Sequence, residues 1–203
     1  PNIRKNKADY PIDDSNSPIS IANFNGFGGS TILYSAHFPR FHPSDFSVKK
    51  LDNVAEDWPL KYSDLEPYFD ENEKMMGVAG LVGDTAYPEY KSLLPPIPLG
   101  DMGQEMAKAF NKKRWHWWPS YSAINTSKRI NRSNCINLGP CNTGCSQGAK
   151  GSVDITYWPE AKLNGVEVYT ESRVYEITLN SKGFADGVLY LDKNGIEFKC
   201  NAK

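Results

Sequence analysis

The stretch Asn23-Phe24-Asn25-Gly26-Phe27-Gly28-Gly29-Ser30-Thr31-Ile32-Leu33-Tyr34-Ser35 places three glycines within four residues and follows them with two hydroxyls. Glycine lacks the Cβ that would hold a flat or anionic ligand away from the backbone. A helix opening at Ser30 would aim free N–H groups and a positive dipole end at a phosphate. The alternative is a glycine-rich turn leading into a buried segment. The stretch is not a dinucleotide fingerprint, because the glycine spacing differs and no clear strand precedes it.

The chain has 203 residues, enough for one domain or two small ones. At this size roughly 70% of the unfolded surface can be buried, so a core is expected. Hydrophobic residues make up 39% and charged residues 23%, the balance of an ordinary globular protein. A net charge of -1 argues against a nucleic-acid or anionic-membrane partner. No apolar run approaches membrane-spanning length. The chain opens on Pro1, and Phe198 to Lys203 reads as an interrupted strand. It is therefore expected to be an internal fragment of a longer protein, and no localisation is read from it.

Outward from the glycine stretch, residues 1–17 are polar, and Asp13-Asp14-Ser15-Asn16-Ser17 reads as loop. Ile19 and Ile21 are isolated apolar residues before the glycines. Asp45 to Trp58 is polar and irregular and is expected to be a loop. A helix is predicted from Ser63, with Glu66 at capping-box spacing, Pro67 in the first turn, Leu65, Tyr68, Phe69 and Met76 on one face, and Gly77 as its stop. Gly80 to Gly100 is rich in proline and glycine and reads as an extended excursion. A second helix follows, capped by Asp101, with Met102, Met106 and Phe110 on its inner face.

Arg114-Trp115-His116-Trp117-Trp118-Pro119 could stack bases. A helix end running into a buried strand suits the near-neutral charge better, and the tryptophans could also wall a substrate pocket. Ser152 to Leu163 is predicted helical, broken or begun at Pro159, with Gly165 as stop. The remainder reads as strands: Val166 to Thr170, Arg173 to Leu179, Gly187 to Leu191 and Ile196 to Cys200. Asn180-Ser181-Lys182-Gly183 and Asp192-Lys193-Asn194-Gly195 are the hairpin turns of a meander.

Asn23 through Phe46, ending in His-Phe-Pro-Arg-Phe-His-Pro-Ser-Asp-Phe, resembles the flavin-facing segment of the glucose–methanol–choline (GMC) oxidoreductases, in their bacterial dehydrogenase and pyranose-oxidase-like branch. Later blocks run in the family's order. They are Asp57-Trp58-Pro59 with Tyr62-Ser63-Asp64-Leu65-Glu66-Pro67-Tyr68, Met75-Met76-Gly77-Val78, Cys141 through Gly151, and Glu171-Ser172-Arg173-Val174. The resemblance runs from about Ala8 onward.

The resemblance implies an α/β flavoprotein, α+β within this chain, of two parts. Residues 1–56 and 135–203 would belong to the FAD-binding domain, with the meander in the latter, and 57–134 to the substrate domain. It implies a non-covalent FAD and hydride transfer from a CH–OH group of an alcohol, polyol or sugar to flavin N5, with the electron acceptor open. Gly28, Gly29, Ser30 and Thr31 would pack against the flavin and its phosphates, and Ser35 would lie beside N5. Val174 would meet the adenine through its backbone. The position where some members attach flavin covalently is Leu33, which has no nucleophile.

Oxidising an alcohol through a flavin needs a base, for which histidine is suited. The family's base lies in a C-terminal segment that this chain does not contain, so no catalytic residue is assigned among His37, His42 and His116. The first two read as lid or loop histidines and the third as partly buried. Cys135, Cys141 and Cys145 lie six and four residues apart. A zinc site would need a fourth ligand, and a disulfide would need an oxidising compartment. Some members of the resembled family carry an iron–sulfur cluster in this loop, with an adjacent cysteine pair where Ile136 stands here. Structural cysteines, free or paired, are expected, and no metal. A non-catalytic carbohydrate-binding module or a cysteine-based metal-binding module is the rival reading of function.

Overall fold

The computed structural model describes residue 13 and residues 15–19, 24–128 and 132–202. The expectations for residues 1–12, Asp14, Ile21, Asn23 and Lys203 lie outside them. The chain divides into two compact units, Pro1–Glu160 and Ala161–Lys203. Helices and a small antiparallel sheet make it α+β.

The first helices are α1 (Val48–Asp52), α2 (Tyr62–Met76) and α3 (Gly100–Lys113). Residues 45–58 are thus not simply a loop. Pro43–Ser47 forms a 3-10 turn, with Pro43 supplying a preset φ and Asp45 accepting the His42 N–H at 2.7 Å, and α1 follows directly. Phe46 is buried beneath.

α2 starts one residue ahead of the Ser63 prediction. Asp64, not Glu66, closes its first turn, accepting the Lys61 N–H at 2.8 Å. Pro67 consequently falls in the second turn, where it removes one hydrogen bond to the Ser63 carbonyl. The buried face carries Tyr62, Glu73 and Met76, while Tyr68 is 65% exposed. Gly77 ends the helix as expected, at φ 71, with its N–H on the Glu73 carbonyl.

In α3 the cap position is Leu99, and Asp101 sits in the first turn without capping, where its charge suits the helix dipole. Met102 and Met106 point outward, 79% and 51% exposed, and Ala107 is buried instead. Arg114 turns the chain at φ 55, and Trp115 folds back onto Phe110. The run 115–120 forms neither helix nor strand.

The core of the first unit is Met76, Val78, Tyr90, Tyr121 and Ala123, with Tyr34, Phe38, Tyr87, Leu93 and Trp118 packed against it. Isolated bridges hold it, with residues 121–125 as the spine. Phe38 N–H reaches the Tyr121 carbonyl at 2.9 Å, Ala79 N–H the Ser122 carbonyl at 2.7 Å, and Gly151 N–H the Ala123 carbonyl at 2.6 Å. These bonds draw the segment after the glycine turn, the end of α2 and the Gly148–Gly151 run onto one line.

Residues 153–156 form turns, and α4 (Tyr157–Leu163) begins later than the predicted Ser152. Gly165 follows at φ 83. The meander of the second unit is β1 (Arg173–Leu179), β2 (Ala185–Leu191) and β3 (Glu197–Asn201), antiparallel in that order. Its turns are those predicted, with Gly183 at φ 80 and Gly195 at φ 77. The predicted strand at 166–170 is irregular backbone, because the order β1-β2-β3 offers it no ladder partner.

Candidate functional site

Gly29–Ile32 forms one 3-10 turn, so no α-helix opens at Ser30 and no helix dipole is available there for a phosphate. The two glycines differ in what they do. Gly28 is buried at φ 91, and a Cβ there would come within 2.9 Å of the Asp154 Cβ and 3.1 Å of Ile32. Gly29, at φ 57, has nothing within 4 Å of its missing Cβ, so it presents bare backbone to open space. Close internal packing requires the first, and a left-handed turn with an open flank requires the second.

The hydroxyls brace this turn. Thr31 Oγ1 donates to the Gly28 carbonyl at 2.5 Å and accepts the Val153 N–H at 3.1 Å. Ser30 Oγ accepts the Phe24 N–H at 3.2 Å. Ser35 is exposed at the end of the segment, just before buried Ala36. Val174 belongs to the second unit, in β1, and is 54% exposed.

Behind the turn stands Lys150, 1% exposed. Its Nζ donates to the carbonyls of Ile32 at 2.5 Å, Tyr34 at 2.9 Å and Cys141 at 2.7 Å. It also lies 5.0 Å from the Tyr34 ring centroid. All three ammonium protons are used, which satisfies the group without a carboxylate ion pair. Burial pulls the Lys150 pKa below the usual ammonium value, against the opposing pull of Cys141, Cys145 and Asp154. Tyr34 donates to the Gly151 carbonyl at 2.5 Å, and burial pushes its phenol up to about 12. Asp154, beside Gly28, has a buried Oδ1 with no hydrogen-bond partner.

FAD, the cofactor implied by the resemblance, is a flat ring system bearing N–H and hydroxyl donors. The open backbone edge at Gly29, followed by the hydroxyl of exposed Ser30, fits such a group.

The cysteines are free thiols. Cys135 Sγ accepts the Asn137 N–H at 3.3 Å and Cys145 Sγ the Lys150 N–H at 3.5 Å. Burial raises the Cys145 pKa, but backbone N–H groups from Lys150, Gln147, Ala149 and Gly148 outweigh it and hold the thiol below its usual value. Among the described residues, no group of three or more His, Cys, Asp or Glu is placed to hold a metal ion.

The histidines lie apart. His37 Nδ1 is 2.7 Å from Ser120 Oγ, the His42 ring packs against Tyr87 at a 33° tilt, and His116 Nε2 is 2.9 Å from Asp84 Oδ1. The His116 side chain is 52% exposed rather than partly buried, because it caps Asp84 from the solvent side. Of the tryptophans, Trp117 and Trp118 spend their N–H groups on Asn111 and on the Leu81 carbonyl.

Sequence reasoning overlooked Lys150 and Asp154. The available signal was a lysine set among small residues, Gly148-Ala149-Lys150-Gly151-Ser152. A long cation amid residues that permit close backbone approach marks a site where carbonyls converge.

No family model matches the chain. It is 38% identical over 210 residues to the 2-methyl-1,2-propanediol dehydrogenase of Mycolicibacterium austroafricanum, an alignment covering 100% of this chain and 37% of that protein. It is 25% identical over 182 residues to the fructose dehydrogenase large subunit of Gluconobacter japonicus, covering 88% of this chain and 33% of that one. It is 41% identical over 186 residues to a cholesterol oxidase of Acinetobacter baumannii, covering 83% and 30%. The chain thus spans about a third of the length of the curated relatives it matches.

Proposed function

The chain belongs to the glucose–methanol–choline oxidoreductases, and on that premise we propose that the whole protein is an FAD-dependent oxidoreductase acting on CH–OH groups of small alcohols, polyols or sugars. The observation that carries this reading is the 38% identity, along the full length of the chain, with a diol dehydrogenase. The fructose dehydrogenase relative extends the substrate class to sugars.

Bound non-covalently, FAD would supply the hydride acceptor, at N5, for oxidation of the substrate carbon. The residues of this chain bind and orient it. Gly29 would let the ring approach the backbone, Gly28 would hold the turn close against Asp154 and Ile32 behind it, and Ser30 and Thr31 would flank the ring and its phosphates. Thr31 would do so through its methyl and backbone, since its hydroxyl is engaged on both sides. Ser35 presents a hydroxyl to N5, able to donate or accept there. Val174 meets the adenine through its backbone. The proton of the substrate hydroxyl leaves to a base outside the residues assigned here. In the whole protein, 1–56 and 135–203 contribute to an FAD domain and 57–134 to a substrate domain.

Purified whole protein should show visible flavin absorbance that bleaches anaerobically on adding an alcohol, diol or sugar from a panel. A colourless protein, or flavin that no CH–OH compound reduces, would overturn the reading.

A further inference from the structure

Lys150 is a fully buried ammonium whose three protons all go to backbone carbonyls. Two of those carbonyls, Ile32 and Tyr34, belong to the segment that ends at Ser35, and the third, Cys141, to the cysteine loop. The lysine therefore ties together stretches more than a hundred residues apart in the chain, standing 118 and 116 positions after the first two.

Carbonyl dipoles solvate the charge but do not cancel it. A buried charge normally acquires a carboxylate partner. Asp154 is the carboxylate that bears on Lys150, yet it stands outside ion-pair distance and keeps an unpartnered buried oxygen. The region behind the glycine turn thus holds a cation with only a partial counter-charge. In a medium of low effective dielectric its field reaches the far side of the segment.

Resting on the functional reading above, we propose that Lys150, partly countered by Asp154, is a positioning residue that favours the reduced over the oxidised form of the flavin lying against Gly28–Ser35. The chemistry gives the reason. A hydride brings two electrons and one proton from the substrate carbon to the flavin, and the substrate hydroxyl proton goes to the base. The flavin thereby gains one negative charge until a second proton arrives. A nearby buried cation stabilises that added charge, and the same charges placed in water would be screened.

The test is the midpoint potential of the flavin in the whole protein, measured for wild type, Lys150→Met, Lys150→Gln and Asp154→Asn. Methionine removes charge and donors at similar length, whereas glutamine keeps amide protons for the carbonyls. Either lysine variant should lower the preference for reduced over oxidised flavin about tenfold, ~30 mV for a two-electron couple. Asp154→Asn should move the potential in the opposite direction, with the lysine bonds intact. A flavin-loaded Lys150 variant at wild-type potential overturns the proposal. If neither lysine variant folds or holds flavin, Asp154→Asn decides: a positive shift supports it and no shift, or a negative one, overturns it. Wild-type protein without flavin would instead overturn the functional reading, and this inference with it.

Discussion

Arg40 and Glu73 meet in a two-pronged ion pair, Nε to Oε1 and Nη2 to Oε2, each 2.6 Å, with both side chains 2% exposed. Arg40 also donates to Asp70 at 2.5 Å and to the Tyr62 hydroxyl at 3.0 Å, and stacks over Tyr90. This cluster fastens the segment after the glycine turn to α2. Removing one partner strands a charge in the interior. Glu73→Ala should therefore cost about 3–5 kcal/mol in denaturant unfolding, while Arg40→Met combined with Glu73→Leu should recover most of it. Additive losses in the double variant would show that packing around the pair, not the pair, is what matters.

Asp70 gives the cluster a pH dependence. Burial raises its pKa, but hydrogen bonds from Lys91 and Arg40 outweigh that and hold the carboxyl below its usual value. A depressed folded-state pKa contributes stability above the unfolded value of about 3.9, and that contribution is lost as pH falls through the folded value. Thermal stability should drop on acidification below about pH 4, more steeply in wild type than in Asp70→Asn. Equal slopes would remove Asp70 from the account.

Gly151 and Gly29 should respond differently to alanine. A Cβ at Gly151 would collide with the Met76 carbonyl oxygen, a backbone atom that cannot step aside. Gly151→Ala should destabilise by roughly 1–3 kcal/mol. Gly29→Ala meets no atom within 4 Å and bears only the left-handed backbone strain, about 1 kcal/mol, so its main effect should fall on flavin affinity. Unfolding curves with and without added FAD separate the two. A Gly29→Ala protein with wild-type flavin affinity would place the ring elsewhere.

Ser35→Ala should leave FAD bound and slow flavin reduction about fivefold, the equivalent of one ordinary hydrogen bond of roughly 1 kcal/mol. Stopped-flow reduction and reoxidation of the whole protein measure it. Unchanged rates in both directions would make Ser35 a small residue filling a tight turn.

Leu33 offers no nucleophile for flavin attachment. Denaturing the whole protein should release all of its flavin into the supernatant. Colour that stays with the precipitated chain would refute the placement of Leu33 or the non-covalent assignment.

The sequence by itself determined whatever is settled within a few neighbouring residues. The meander turns follow from glycines that accept positive φ, and so does the stop of α2 at Gly77. The family was legible too, because its motifs keep their order along the chain. Tertiary structure decided the rest. Periodicity groups Met102 with Met106 but does not say which neighbour covers them, and here none of the described residues buries them. Val166 to Thr170 has strand composition, yet a strand exists only where another supplies its hydrogen bonds. Lys150 reads as one more cation in sequence. Only the convergence of carbonyls from Ile32, Tyr34 and Cys141 makes it a buried charge behind the glycine turn, because the cost of burying an ammonium depends on partners that lie far from it along the chain.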